Sequence, residues 1–286
     1  MSAMRGTHSH LPFAAVRDPA VAGMFYPEDP ALLRREIAGL LARARSLRSG
    51  AALVALVSPH AGYRFSGATA AAAYRLLEGR TVGTVVIVSP SHREYFRGIS
   101  VFEGAAYRTP LGTLSVNTKL RDELVRGDAY IASSSDGHRT EHAIEVQLPF
   151  LQATLAAAPT ILPIVMGDQR REFCEHLGRR LAQVLGGTDS IMIASTDLSH
   201  YHSYEDAEAL DRDMIRSIES FDEERLMNDL EAERAEACGG GPTVAVLMAA
   251  RLLGARRVEI LDHCNSGDTS GDRRNVVGYV SAAITR

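Results

Sequence analysis

Short apolar runs recur along the chain and alternate with longer segments that have an amphipathic pattern. Uninterrupted apolar runs are typical of strands buried on both faces of a sheet, and an apolar stripe at a spacing of three to four residues is typical of a helix. Strands are therefore predicted at residues 53–57, 84–90, 98–102, 112–116, 161–166, 190–195, 258–261 and 276–284. Helices are predicted at residues 31–48, 68–77, 118–126, 138–151 with a kink at Pro149, 171–185, 204–219, 221–236 and 243–253.

The order of these elements predicts the fold class. Strands that alternate with helices favour a three-layer α/β/α arrangement around a mixed, mostly parallel central sheet. No stretch rich in Gly, Ser or Pro divides the chain, so residues 1–286 are predicted to form a single domain. Residues 1–16 are expected to be a disordered tail, because the segment begins with mostly polar residues.

Two of the core strands are predicted to end in the same way. A Ser-Pro pair ends the run at 53–57 and His60 follows it; a second Ser-Pro pair ends the run at 84–90 and His92 follows that. Proline supplies no N–H for the sheet, so each pair marks a strand end. In open α/β sheets ligands bind beyond the carboxyl ends of the strands, and both imidazoles are predicted to lie there.

Two more segments bring polar residues toward the same edge. Asp197 and His200 follow the last core strand, and Cys238 precedes the Gly-Gly-Gly-Pro sequence that opens a helix. Two imidazoles and a thiolate suffice to hold a metal ion that keeps an open position, so His60, His92 and Cys238 are the predicted ligands. Free N–H groups at the helix start are expected to lower the pKa of the thiol. The alternative for Cys238 is a buried structural thiol.

The spacing of Asp197 and His200 allows two interpretations. In the first, His200 acts as an acid or base beside the metal, and Asp197 orients it or a metal-bound water. In the second, Asp197 is only the N-cap of the following helix and His200 lies in its first turn. The first interpretation is favoured.

A third motif, His-Arg-Thr-Glu-His, matches the H-x-x-E-H pattern of inverted zinc proteases. On a helix, His138 and His142 would face one way with Glu141 beside them. The alternatives are that Glu141 and His142 line the pocket near the other histidines, or that Glu141 only favours a helix N-terminus.

The acidic, glycine-rich loop at 265–272 resembles a calcium loop in composition only. It lacks the EF-hand spacing and the closing glutamate. A turn between two strands that faces the same pocket is the favoured interpretation, which makes Cys264 and Asp268 candidate pocket residues.

Charge and composition exclude several classes of function. The formal net charge is −4, from 31 Lys and Arg against 35 Asp and Glu, which gives no electrostatic reason to expect nucleic acid or a membrane as a partner. No apolar run is long enough to cross a bilayer, and the first ten residues lack the apolar core of a secretory signal. Three cysteines are too few for a disulfide framework, so a reducing, cytoplasmic setting is expected. Apolar edge strands would permit a homo-oligomer.

Several stretches, in order and across nearly the whole chain, resemble the Memo family, including the bacterial members called AmmeMemoRadiSam system protein B. They are PAVAGMFYP (19–27), PHAGYRFSG (59–67), PSH (90–92), YRTPLG (107–112), EHAIEVQLPFL (141–151), STDLSHY (195–201), ACGGGP (237–242), and NSGDTSGD with VVGY (265–280). The family is similar in fold to the class III non-haem iron extradiol dioxygenases. The resemblance implies that His60, His92 and Cys238 are at metal-ligand positions and His200 is at the acid/base position, with Asp197 in the same motif.

The third ligand sets this pattern apart from the dioxygenases, which use a carboxylate there. Thiolate is softer, so Cys238 shifts the preference toward copper or zinc, and the resemblance in fold does not carry ring cleavage with it. The favoured function is redox or oxygenase-like chemistry on a small organic substrate, with iron or copper as the metal and zinc as a further candidate. The alternatives are a non-catalytic binding or adaptor module and a zinc hydrolase. The family's bacterial name implies an association with radical-SAM and AMMECR-type proteins.

Overall fold

A computed structural model describes residues 15–44 and 52–286 of the chain. Its strands are β1 (Val16–Arg17), β2 (Leu53–Ser58), β3 (Thr84–Pro90), β4 (Ile99–Phe102), β5 (Ala106–Thr109), β6 (Gly112–Ser115), β7 (Ile131–Ser134), β8 (Thr160–Met166), β9 (Ser190–Ser195), β10 (His200–His202), β11 (Arg257–Asn265) and β12 (Val276–Thr285). Its helices are α1 (Pro30–Arg43), α2 (Tyr63–Tyr74), α3 (Thr118–Val125), α4 (Leu148–Thr154), α5 (Arg171–Leu185), α6 (Tyr204–Glu219), α7 (Glu223–Glu231), α8 (Gly240–Leu252) and α9 (Ser266–Ser270), with 3₁₀ turns at Arg75–Leu77 and Glu145–Gln147.

Nine of the strands form one mixed sheet. Its centre is parallel, in the order β2, β9, β3, β8, and antiparallel neighbours flank this centre, β12 beside β2 and β4 beside β8. β7 lies outside β4, and both β10 and β11 pair with β12. β1, β5 and β6 form a separate small sheet. The predicted α/β class with a mixed sheet is confirmed.

Helices cover both faces of the large sheet. Alternate residues of each central strand point to opposite faces, and because both sets are apolar, both faces must be covered. In β3, Val86 and Val88 belong to one apolar cluster, and Val85 and Ile87 belong to another. The first cluster includes residues of α3 and α5 to α8, and the second includes residues of α1, α2 and α4. The result is three layers, as the sequence predicts.

The parallel register places the polar segments together. Ser58 at the end of β2 is opposite Ser195 at the end of β9, and Val88 near the end of β3 is opposite Ala194. The segments that follow these three strands therefore leave the sheet at one edge. No helix within the described ranges is long and apolar enough to cross a membrane.

Some sequence predictions were wrong in detail. The segment 138–151 is not one helix kinked at Pro149: α4 begins at Leu148, with Pro149 in its first turn, where a missing N–H costs nothing. The strands β5, β7 and β10 were not predicted, and the loop expected after residue 261 is instead the end of β11 followed by α9. Residues 1–14 of the predicted tail, and residues 45–48 of the predicted first helix, lie outside the described residues. Val16 within that tail pairs with Ala106.

Candidate metal centre

Three side chains from distant parts of the sequence meet beyond the carboxyl ends of β2 and β3. His60 follows β2, His92 follows β3, and Cys238 precedes α8. One ligand atom from each lies within 4.8 Å of the other two, and His60 Nε2 is 3.2 Å from Cys238 Sγ. Tetrahedral zinc ligands at usual bond lengths lie roughly 3.5 Å apart, so this spacing fits a shared ion.

Hydrogen bonds fix the tautomer of His60. Gln147 Nε2 donates to Pro59 O at 3.0 Å and to Ser195 Oγ at 2.8 Å, and Ser195 Oγ donates its hydrogen to Ala143 O at 2.7 Å. The serine oxygen is therefore left to accept from His60 Nδ1, 2.9 Å away. Nδ1 carries the proton and Nε2 presents a lone pair toward Cys238, as a metal ligand requires. Burial and the neighbouring His92 hold the pKa of His60 well below its usual range.

A buried carboxylate fixes the tautomer of His92 in the same way. Glu141 Oε1 accepts from His92 Nδ1 at 2.9 Å, and Oε2 accepts from the His92 backbone N–H at 2.6 Å. The backbone N–H groups of His142 and Ala143 also donate to Oε1. Burial alone would raise the pKa of Glu141, but the hydrogen bonds from His92 and the electrostatic effect of the neighbouring His92 and His142 together lower this pKa to about 2. The ionised carboxylate keeps the proton of His92 on Nδ1, which leaves Nε2 as the ligand atom.

Cys238 is held by the segment after β9. Its backbone N–H donates to Asp197 O at 3.3 Å, and its sulfur accepts from the Asp197 backbone N–H at 3.3 Å. Burial and the Asp197 charge raise the pKa of the thiol, contrary to the expectation that the helix start would lower it. A bound cation would instead lower the pKa of the Cys238 thiol, because a metal-coordinated thiol is deprotonated.

The glycine N–H groups after Cys238 explain why the expectation was wrong. Gly239 N–H donates to Thr196 Oγ1 at 3.0 Å, and Gly241 N–H donates to Gln169 Oε1 at 2.8 Å. These donors are occupied by neutral side chains, so they are not available to stabilise a thiolate or to hold an anion.

Asp197 and His200 lie beside the three ligand candidates. Asp197 is buried, and its Oδ1 accepts from the His60 backbone N–H at 2.7 Å. His200 Nδ1 donates to Leu198 O at 2.8 Å, and no described residue forms a hydrogen bond with Nε2. Asp197 is not the N-cap of the following helix, because Ser203 caps α6 and His200 begins β10.

The H-x-x-E-H motif is divided between two environments. His142 lies with the other imidazoles, its ring centroid 4.7 Å from that of His92, and burial lowers its pKa to about 4. His138 is fully buried elsewhere: Nδ1 accepts from Tyr107 Oη at 2.7 Å and Nε2 donates to Ser100 O at 3.3 Å. The inverted zinc-protease arrangement is therefore not formed. Among the described residues, Glu141 and His142 form a possible metal-binding group with His92 instead.

A cavity of about 890 Å³ opens over the ligand candidates. Its polar lining includes His60, His92, His142, Asp197, His200 and Cys238, and its apolar lining includes Met24, Phe25, Phe65, Tyr201, Val277 and Tyr279. Cys264 and Asp268, which were candidate pocket residues, do not line it. Cys264 Sγ is 3.2 Å from Thr69 Oγ1, and Asp268 is the acidic member of the capping box of α9.

Two supporting residues were missed from the sequence. Ser195 accepts from His60, Gln147 donates to Ser195 Oγ and to Pro59 O, and both residues are buried. Ser195 begins the same polar run as Asp197, and Gln147 is a lone amide in an apolar stretch. A polar residue where packing demands an apolar one is the signal that would have identified Gln147.

Comparisons with known proteins identify the family of this chain. The model of the family described as Memo-like protein matches residues 17–283. The chain belongs to the Memo family. A MEMO1 family protein of Methanothermobacter thermautotrophicus is 37% identical over 276 residues, covering 92% of this chain and 98% of its own. One of Methanosarcina mazei is 38% identical over 275 residues, covering 94% and 99%.

A solved structure supports the fold of this Memo family member. The crystal structure of an uncharacterized protein from Escherichia coli K12 superposes with a TM-score of 0.51 at 14% identity, covering 82% of this chain and all of the other. At that identity the likeness concerns the fold alone. The Memo family has the fold of the class III extradiol dioxygenases.

Proposed function

We propose that this chain is a metal-dependent redox protein of the Memo family that acts on a small organic substrate. His60 Nε2, His92 Nε2 and Cys238 Sγ would hold iron or copper, and His200 would transfer protons. The observation that carries the proposal is that one ligand atom from each of these residues lies within 4.8 Å of the other two, and Nδ1 of each imidazole is already hydrogen-bonded.

The donor set favours a particular class of metal. Imidazole suits iron, copper and zinc, and thiolate favours soft or borderline ions over magnesium or calcium. When bound, such an ion supplies one-electron chemistry or acts as a Lewis acid. The Cys238 thiol would lose its proton on binding, which makes the affinity depend on pH.

The chain's own groups orient the site. Asp197 fixes the His60 backbone through Oδ1 and the Cys238 sulfur through its backbone N–H, so it is a positioning residue for both. His200 donates Nδ1–H to Leu198 O, which leaves Nε2 able to accept a proton from a ligand in the cavity. The cavity walls exclude part of the solvent and hold the apolar part of a substrate.

The proposal is tested by metal content after purification without oxygen. The wild-type chain should retain about one ion per chain, and His60→Ala and Cys238→Ser should each lose most of it. His176→Ala and Cys264→Ser are matched controls, because His176 pairs with Asp128 on another part of the surface and the Cys264 sulfur contacts Thr69. Both controls should keep the wild-type content.

Cobalt substitution gives a second readout of the ligand set. The cobalt form should show a thiolate charge-transfer absorption that Cys238→Ser abolishes and Cys264→Ser retains. Equal, sub-stoichiometric metal in all variants would contradict the proposal. Small-molecule binding that survives both chelation and His92→Ala would favour a binding module instead. Association with radical-SAM or AMMECR-type proteins, and a cytoplasmic location, stay predictions.

A further inference from the structure

Tyr201 has an unusual backbone conformation at the edge of the metal-site cavity. Its φ is 63°, in the left-handed region that bulky residues seldom adopt. Its side chain is 75% exposed although it lines the cavity. A large aromatic side chain that is both exposed and held in a strained conformation indicates a function other than folding.

The neighbours of Tyr201 hold it in this conformation. Glu236 Oε1 accepts from the His200 backbone N–H at 2.9 Å, and Glu236 Oε2 is 2.7 Å from His202 Nε2. The pairing of β10 with β12 is irregular between the same two histidines. One carboxylate therefore anchors the residues on both sides of Tyr201 and restrains the backbone between them.

The ring of Tyr201 contacts the imidazole of His200 and shares the cavity lining with other aromatic side chains. Its centroid is 5.7 Å from that of His200, and the planes are inclined by 68°. Phe25, Phe65 and Tyr279 also line the cavity. No described residue forms a hydrogen bond with the Tyr201 hydroxyl, so the side chain contributes to the cavity mainly through its ring.

We propose that Tyr201 determines specificity by stacking on a flat ring of the ligand that binds at the metal. The site would therefore prefer ligands with a planar, aromatic body over aliphatic ligands that carry the same metal-binding group. Glu236 is the positioning residue, since it holds the backbone that presents the ring. This inference rests on the proposed metal centre. A stacked aromatic pair accounts for about a five- to tenfold change in Kd.

The test compares two hydroxamic acids on the zinc-loaded, full-length protein. Benzohydroxamic and acetohydroxamic acid bind metal through the same group and differ in the phenyl ring. In calorimetric titrations, Tyr201→Leu should weaken benzohydroxamate binding about five- to tenfold and leave acetohydroxamate binding unchanged. Tyr201→Phe should behave as wild type, because it keeps the ring face. Glu236→Ala should reduce the preference for the phenyl ligand without reducing zinc content.

Tyr95→Leu is the matched control. Tyr95 is 79% exposed and lines a neighbouring cavity, outside the lining of the metal site, so its loss should change neither affinity. An unchanged benzohydroxamate affinity in Tyr201→Leu, with wild-type zinc content and thermal midpoint, would overturn the inference and leave the metal centre standing. Failure of the wild-type chain to bind iron, copper or zinc would refute the metal centre, and the inference with it.

Discussion

A buried ion pair links the N-terminal strand to the segment that carries Glu141. Arg17 in β1 and Glu145 before α4 are almost fully buried, and Arg17 Nη1 donates to the carboxylate. Arg17 also donates from Nε to His138 O at 3.1 Å and from Nη2 to Glu141 O at 2.5 Å. One guanidinium therefore satisfies a carboxylate and two carbonyl groups of the same segment.

Replacing Arg17 with methionine should lower the free energy of unfolding by about 4 kcal/mol, because breaking a buried pair leaves the other charge uncompensated. Glu145 would still accept from the N–H groups of Ala20 and Val21 and from Tyr26 Oη, at 2.8, 3.0 and 2.6 Å. These donors limit the loss but carry no charge. The loss is a large part of the 5–15 kcal/mol that is usual for a domain.

Urea denaturation of a double-mutant cycle measures the effect. Glu145→Gln alone should also be destabilising, and the double variant should cost less than the sum, with a coupling of about 2 kcal/mol or more. The exposed pair of Arg108 and Asp18 is the matched control, and Arg108→Met should cost under about 1 kcal/mol. Additive losses for Arg17 and Glu145 would refute the reasoning.

Three further predictions concern the site and its support. Glu141→Gln should weaken metal binding about 10- to 100-fold in a competition titration with a chelator, because the amide no longer fixes the His92 tautomer; unchanged affinity would contradict this role. Burial raises the pKa of Asp211 to about 6 from 3.8, so Asp211 ionises at lower pH in the unfolded chain than in the folded one. The free energy of unfolding should therefore fall by ~3 kcal/mol as the pH rises between these two pKa values. Asp211→Asn should remove most of that fall when unfolding is measured at pH values below and above this range. A Cβ at residue 278 would lie 1.9 Å from Asp211 Oδ2, so Gly278→Ala should lower the thermal midpoint, and less so in an Asp211→Ala background.

Secondary structure was predictable where it depends on local pattern. The predicted bounds of α5, α6 and β9 coincide with the observed ones, because an apolar stripe or an apolar run is decided by neighbouring residues. Segment 138–151 shows where this fails. Its apolar residues are buried from several directions, and its backbone is held by Arg17, 124 residues from Glu141 in sequence. The spacing of apolar and polar residues within the segment does not indicate that contact.

The candidate site was likewise predictable from the sequence only in part. The repeated Ser-Pro pairs and the polar run after β9 identified His60, His92, Asp197 and His200 as candidate site residues, since a parallel sheet brings the carboxyl ends of its strands to one edge. The state of Cys238 was misjudged, because the glycine N–H groups that should have stabilised a thiolate donate to side chains from other segments.

The sequence by itself determined the layers, the strand ends and the kinds of ligand atom, because these follow from periodicity, from proline and from side-chain chemistry. Only the tertiary structure decided which nitrogen of each imidazole is free, why His138 is separated from His142, and how Glu236 contacts the residues on both sides of Tyr201. Each of these depends on hydrogen bonds or burial between residues far apart in the chain. The direction of such bonds is set by packing, which no short stretch of sequence specifies.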